Sequence, residues 1–248
     1  MTTRRGCYTI AGGALATLLL AAAAGAAWWL SEPAGIDRLS RGAPPPTWAA
    51  LERQRQAWRA QGVQRAITPR FVPLDAIGVD LQLAVLVGED IDFFGHGAID
   101  PGAIREALAE WRRGRRLRGA STLTQQLAKT LFLSGERTLW RKLAEARLAW
   151  WLERRLGKRR ILELYLNVVE FGPGLFGAEA AARHYWGAGA GELDREQAAG
   201  LAAAIPSPGR DNPATATRRW KFRQDTILAR MSEAGWLRRK LAPSPPAR

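Results

Sequence analysis

The sequence predicts a mostly α-helical fold, and three observations carry that expectation. Apolar residues recur at three- and four-residue intervals through most of the stretch from about residue 100 to residue 234. Residues that start and stop helices bracket these runs. Strand-like alternation is scarce, and no hairpin dipeptide separates two β-rich runs. The chain has 248 residues, of which 47% are apolar and 24% charged, so a packed core is expected rather than a disordered polycation. One Cys excludes an intrachain disulfide, and two His argue against a structural zinc site.

From the N-terminus, residues 1–7 form a short basic lead with Arg4 and Arg5, and residues 8–30 are uncharged. As a helix this run of 23 residues would be about 34 Å long, enough to cross a bilayer core. Trp28 and Trp29 sit at its far end, where indoles favour the membrane boundary, and the arginines orient its start to the cytoplasm. A cleaved signal peptide is the other reading, and the length of the run favours a retained anchor. Either way the remainder, with a net charge of +12, is exported. An anionic partner is expected, and export makes nucleic acid a poor one. Residues 31–47, with Pro44, Pro45 and Pro46, read as a linker; 48–240 read as one domain, and 241–248 as a disordered tail.

Within the domain, Asp100-Pro101 is an N-cap followed by proline at the first helical position, opening a helix to about Arg113. From Thr138 to Leu156 the apolar stripe is Leu139, Leu143, Ala146 and Trp150, stopped by Gly157. Lys158 to Val169 repeats the pattern with Ile161, Leu162, Tyr165 and Leu166. Asp194 with Gln197 is a capping box for a helix ending near Pro206. A last amphipathic segment, about 214–234, carries Trp220, Ile227, Leu228 and Met231.

The residues suited to chemistry cluster in the first half of the domain. An apolar run ends on Glu89-Asp90, followed by Phe93 and Phe94. A desolvated carboxylate is suited to general acid or base work, but this segment alone fits solvated helix-end charges better. His96 reads as a hydrogen-bonded structural residue. In GASTLTQQLAKTLFL, Ser121, Gln125 and Lys129 lie four residues apart, with Thr122 and Gln126 widening the same side and Leu123, Leu127 and Leu131 opposite. Such a row of hydrogen-bond formers ending in a cation suits a sugar or phosphate. The arginines among Arg112–Arg118, beside Trp111, suit anionic headgroups. Glu145 lies within helical reach of Arg141 and Lys142, which by itself indicates a local ion pair.

Taken in order, GEDIDFFGHGAID, GASTLTQQLAKTLFL, RKLAEA and KRRILELYLNVVEFG resemble the glycosyltransferase family that polymerises peptidoglycan from lipid II. The similarity covers roughly residues 70–230. No Ser-x-x-Lys occurs, so the likeness is to the monofunctional members without a penicillin-binding domain. The resemblance implies a lysozyme-like α-helical domain with a small membrane-associated lobe, after one transmembrane helix, at the periplasmic side of a bacterial inner membrane. It implies Glu89 as the catalytic base and Glu145 as the second catalytic glutamate. It implies Lys129 and Arg137 at the substrate pyrophosphate, Arg105 on the donor side, and Ser121, Thr122, Gln125, Gln126, Arg141 and Lys142 as further substrate-binding residues. Its partners would be lipid II, the growing glycan strand, the membrane and a cell-wall synthesis complex. No cofactor is required by the resemblance; Mg or Mn is compatible with it, though no carboxylate cage stands out. Two departures occur: Ala98 stands where the family has Gly, and Thr130 where it has Asn. A lytic transglycosylase would also explain Glu89 but leaves the cations without a purpose. A non-catalytic lipid-binding protein would explain the charge but not the Ser-Thr-Gln-Gln row.

Overall fold

The computed structural model describes residues 3–114, 121–134 and 138–242, with side chains from residue 16 onward. It divides into two units, residues 1–36 and 37–248. The first is one helix, α1 (Thr3–Leu30), followed by a short irregular stretch. Among the described residues no helix is long and apolar enough to cross a membrane. Residues 8–15 of the span expected at 8–30 lie outside the described side chains.

The second unit is helical, as the periodicity predicts. Its helices are α2 (Ala49–Ala60), α3 (Val79–Glu89), α4 (Pro101–Arg112), α5 (Leu123–Phe132), α6 (Leu139–Arg155), α7 (Lys158–Val168), α8 (Ala178–Trp186), α9 (Arg195–Ala204), α10 (Arg218–Glu233) and α11 (Gly235–Leu241). Between α7 and α8 lies a small antiparallel hairpin, β1 (Glu170–Gly172) and β2 (Leu175–Phe176), which the sequence patterning does not reveal. Its strands are too short to show alternation, and its turn is Pro173-Gly174 rather than a hairpin dipeptide. The expected linker is partly docked: Leu39 is buried, and Arg160 Nε donates to its carbonyl at 2.8 Å. Leu241 is buried in α11, so the fold reaches one residue past the expected boundary.

Caps explain where the helices begin. Asp100 accepts from the amides of Gly102 and Ala103 at 2.8 and 3.0 Å, with Pro101 in the first turn. Asp194 and Gln197 form a reciprocal capping box at the start of α9. Thr138 and Thr217 cap α6 and α10 through their hydroxyls. Gly157 is the N-cap of α7 rather than the stop of α6, which ends at Arg155.

The core centres on α3, which is apolar all round and packs against α9, α10 and α11. Leu81, Leu83 and Leu86 are fully buried, each contributing about 2 kcal/mol by removal of apolar surface from water. Small residues let α9 come close to its neighbours. At Gly200 a Cβ would lie 3.1 Å from the Trp220 ring, whose Nε1 donates to the Gly200 carbonyl at 2.9 Å. A second cluster packs α5 against α2, α6 and α7.

The apolar stripe predicted for α6 is not its most buried face, though Ala146 and Trp150 are half-buried. Leu139 is 91% exposed and Leu143 is also exposed, while the buried face carries Glu145, Leu148, Ala149 and Leu152. Periodicity locates an apolar stripe but not what covers it. The same holds on α4, where Ile104, Leu108 and Trp111 are exposed and only Ala107 is buried.

Candidate functional site

The Glu89-Asp90 pair closes α3, and the structure gives its two carboxylates different work. Neither is a solvated helix-end charge: their side chains are 10% and 8% exposed. Asp90 is scaffold. Its Oδ2 accepts from the Leu123 amide at 2.7 Å, capping the first turn of α5, and its Oδ1 lies 2.7 Å from His96 Nε2. His96 Nδ1 faces the Gly97 carbonyl at 2.7 Å, so both ring nitrogens meet acceptors and the doubly protonated ring satisfies both. Burial works against that charge, but the Asp90 carboxylate and Gly97 carbonyl outweigh it and raise the His96 pKa. His96 is thus the hydrogen-bonded structural residue expected. Ala98 sits here without a left-handed backbone, buried, with its carbonyl accepting from Thr122 Oγ1 at 2.9 Å.

Because Asp90 ties α5 to the end of α3, the α5 side chain Gln126 reaches Glu89. Gln126 Nε2 donates to Glu89 Oε2 at 3.0 Å, while Tyr165 O–H on α7 donates to Gln126 Oε1 at 2.9 Å. That second bond fixes which end of the amide faces Glu89. From α10, Arg223 Nη2 donates to Glu89 Oε1 at 2.6 Å and to the Gly88 carbonyl at 3.0 Å. Its Nε is buried without a hydrogen-bond partner. Burial pushes the Glu89 pKa up; the Arg223 charge, the Gln126 and Arg223 hydrogen bonds and the Lys129 charge pull it back, leaving it above the ordinary carboxylate value. Burial likewise drives the Tyr165 hydroxyl well above its ordinary value, so it remains a proton donor.

Gln126 also lines a cavity of about 400 Å³. Its charged walls are Arg53, Lys129, Arg141 and Lys142, against the single carboxylate of Glu145. Lys142 Nζ bonds Glu145 Oε1 and reaches Ser121 Oγ at 2.9 Å, and Arg141 Nη1 lies 3.6 Å from Glu145 Oε2. The ion pairs expected from spacing are therefore present, but Glu145 is only 4% exposed and faces the cavity. Such a cationic, partly desolvated pocket suits a multiply charged anion with oxygen acceptors. Among the described residues no group of three or more His, Cys, Asp or Glu is placed to hold a metal ion.

Of the residues singled out from sequence, Ser121, Gln126, Lys129, Arg141, Lys142 and Glu145 meet in this one cavity, with Glu89 joined to it through Gln126. The others divide differently. Ser121 and Thr122 precede α5 rather than extending its face, and Thr122 with Gln125 forms the helix's capping box. Thr122 and Gln125 are buried, and Gln125 Oε1 also accepts from the cavity residue Lys142 Nζ at 3.5 Å. Thr130 Oγ1 donates to the Gln126 carbonyl at 2.9 Å within α5. Arg105 is exposed on α4, its Nε bonded to the Pro101 carbonyl at 3.2 Å, and it does not line the cavity. Arg137 and the arginines at 115, 116 and 118 lie outside the described residues.

Sequence reasoning missed Arg223 and Arg53. Arg223 left a signal: it lies four residues before Ile227 and three after Trp220, on the stripe α10 buries, where a guanidinium needs a partner. Arg53, whose Nη1 bonds the Leu133 carbonyl, left none, being one of several arginines on an amphipathic helix.

Residues 57–232 match the family model described as Transglycosylase. The chain is 46% identical over 202 residues to the biosynthetic peptidoglycan transglycosylase of Shewanella amazonensis, covering 77% of each chain. It is 39% identical over 229 residues to the protein of the same name from Pseudomonas putida, covering 92% of each. A third, from Nitrosospira multiformis, is 46% identical over 165 residues, 66% of this chain and 72% of the relative.

Proposed function

The chain belongs to the transglycosylase family, and from that premise we propose how the Glu89 cavity builds a glycan bond. The protein is a peptidoglycan glycosyltransferase of cell-wall synthesis. Lipid II and the growing glycan strand are its substrates in this reading. Glu89 takes the proton of the acceptor sugar's 4-hydroxyl, and that oxygen attacks the anomeric carbon of the lipid-linked donor. The bond from that carbon to the pyrophosphate breaks, and undecaprenyl pyrophosphate leaves with the electron pair. Attack opposite the leaving group inverts the α-linkage to β-1,4. Lys129, Arg141 and Lys142 receive the charge that develops on the pyrophosphate, with Glu145 fixing the last two in place.

The observation that carries this reading is the coupling of one buried carboxylate to a cation-lined cavity. Glu89 is held at both oxygens, while Gln126 joins it to a cavity with four cations and one carboxylate. A lytic enzyme cutting strands has a use for Glu89 but none for cations placed for a leaving pyrophosphate.

The setting follows from the same reading. The domain works at the periplasmic face of the inner membrane, tethered through residues 8–30. Exposed Ile104, Leu108 and Trp111 on α4, and Leu139 and Trp140 on α6, supply apolar side chains for a membrane-associated lobe. Incubating the purified chain with labelled lipid II tests the reaction. Longer glycan is expected; shortening of preformed strands without growth would replace the reading with a lytic one.

A further inference from the structure

A second cavity is also lined in part by α2, and the mechanism does not use it. It is a cleft of about 600 Å³ on α2 and the segment that follows. Arg55, Arg59 and Arg65 line it together with Trp58, Val63 and Ile67, and no Asp or Glu does. The nearest carboxylate to Arg55 is Glu52 at 3.8 Å, and neither Arg59 nor Arg65 has a carboxylate partner among the described residues. The Arg65 guanidinium sits 5.6 Å from the centre of the Trp58 ring. Trp58 is itself positioned by the hairpin turn: Gly174 has φ +71°, and a Cβ there would lie 2.2 Å from the indole. The cleft is therefore built, with an aromatic wall and a guanidinium rim in which only Arg55 has a carboxylate within 4 Å among the described residues.

We propose that this cleft binds the acidic glycan strand outside the reaction cavity, its guanidiniums taking the strand's carboxylates and Trp58 the sugar edge. The proposal rests on the glycosyltransferase reading. Two observations favour a strand over a membrane surface. The site is concave, and none of its residues is among the exposed large apolar side chains, which include those of α4 and α6. It also shares a helix with the reaction cavity: α2 supplies Arg53 to one, and Arg55 and Arg59 to the other. Planar guanidiniums meet carboxylates in bidentate geometry, and the chemistry of the strand supplies them repeatedly.

The test uses the full chain and the triple variant Arg55→Ala/Arg59→Ala/Arg65→Ala. Binding is measured to preformed, peptide-bearing peptidoglycan strands, to neutral β-1,4-linked N-acetylglucosamine oligomers, and to phosphatidylglycerol vesicles. Initial lipid II consumption and product length are followed alongside. The variant should bind the acidic strands about tenfold more weakly, keep its initial rate, and release shorter products. The unvaried chain should bind the neutral oligomers far less than the acidic strands. Unchanged strand affinity in the variant, or equal wild-type binding of neutral and acidic strands, would overturn the proposal. So would a loss confined to the vesicles, which would assign the cleft to lipid. If the unvaried chain fails to extend lipid II, the enzymatic reading falls, while the strand-binding comparison still decides the cleft.

Discussion

Arg223 holds Glu89 from 134 residues away in sequence, its Nη2 2.6 Å from Glu89 Oε1. The pair joins the last long helix to the end of α3, and the Arg223 charge opposes the effect of burial on the carboxylate. Arg223→Gln removes that charge, so the Glu89 pKa rises further. The base is active only when deprotonated, and the acid limb of the rate–pH profile should move to higher pH. On that limb each unit of displacement is a tenfold loss of rate. Arg223→Lys should lie between the two. A limb that stays in place, with only kcat reduced, would make Arg223 a packing residue.

Glu89→Gln should lower lipid II polymerisation by about 10²–10⁴-fold, the usual contribution of a positioned base. The amide keeps the volume, and its one acceptor oxygen can still meet Arg223, leaving only a local mismatch between its NH2 and that of Gln126. Circular dichroism should therefore show unchanged helical content. Near-normal turnover would remove Glu89 from the reaction.

Tyr165→Phe leaves the Gln126 carbonyl oxygen without its donor and frees the amide to turn. The cost should be about 1–2 kcal/mol of stability by chemical denaturation, because the Tyr165 side chain is fully buried. Activity should fall several-fold more than stability alone explains, as the Gln126–Glu89 bond is no longer enforced. An activity equal to that of the parent at a temperature where both are folded would show that the amide needs no such anchor.

Lys129→Ala should raise the KM for lipid II by at least tenfold, whereas Lys240→Ala should change it little. Lys129 lines the cavity, while Lys240 lies on α11 over the Trp236 ring. Equal effects in a steady-state comparison would mean that overall positive charge, not a placed cation, governs donor binding.

What could be read in advance follows from how local each feature is. The caps at Asp100 and Asp194 and the buried stripe of α7 depend on residues within one or two turns, and they fall where the spacing places them. The direction of the α6 stripe depends on which neighbours cover it, so Leu139 lies exposed while Glu145 is buried. The site shows the same division. Ser121, Gln126 and Lys129 are near enough in sequence to be read as one row, whereas Arg141, Lys142 and Glu145 read by spacing as a local ion pair and join the site only through the family resemblance. Thr122 and Gln125 also build the helix start, because a capping box uses the residue types that a sugar-binding row uses. Arg223 reaches Glu89 through packing of α10 on α3, which no local pattern encodes.

His96 makes the last prediction, and it concerns stability rather than catalysis. Its ring is held between Asp90 and the Gly97 carbonyl, and despite burial its pKa is raised above the ordinary histidine value. The folded state therefore binds the proton more tightly than the unfolded chain does. The resulting stabilisation is fully present below the unfolded pKa and is lost as pH rises through the folded one. His96→Asn removes the titration, so the Tm difference between parent and variant should be largest at acid pH and shrink as pH passes through that window. Asp90 also caps α5, so part of the difference should persist at high pH as a less well-held helix start. A Tm difference that is constant with pH, or that grows as pH rises, would mean that the imidazolium is not what Asp90 holds.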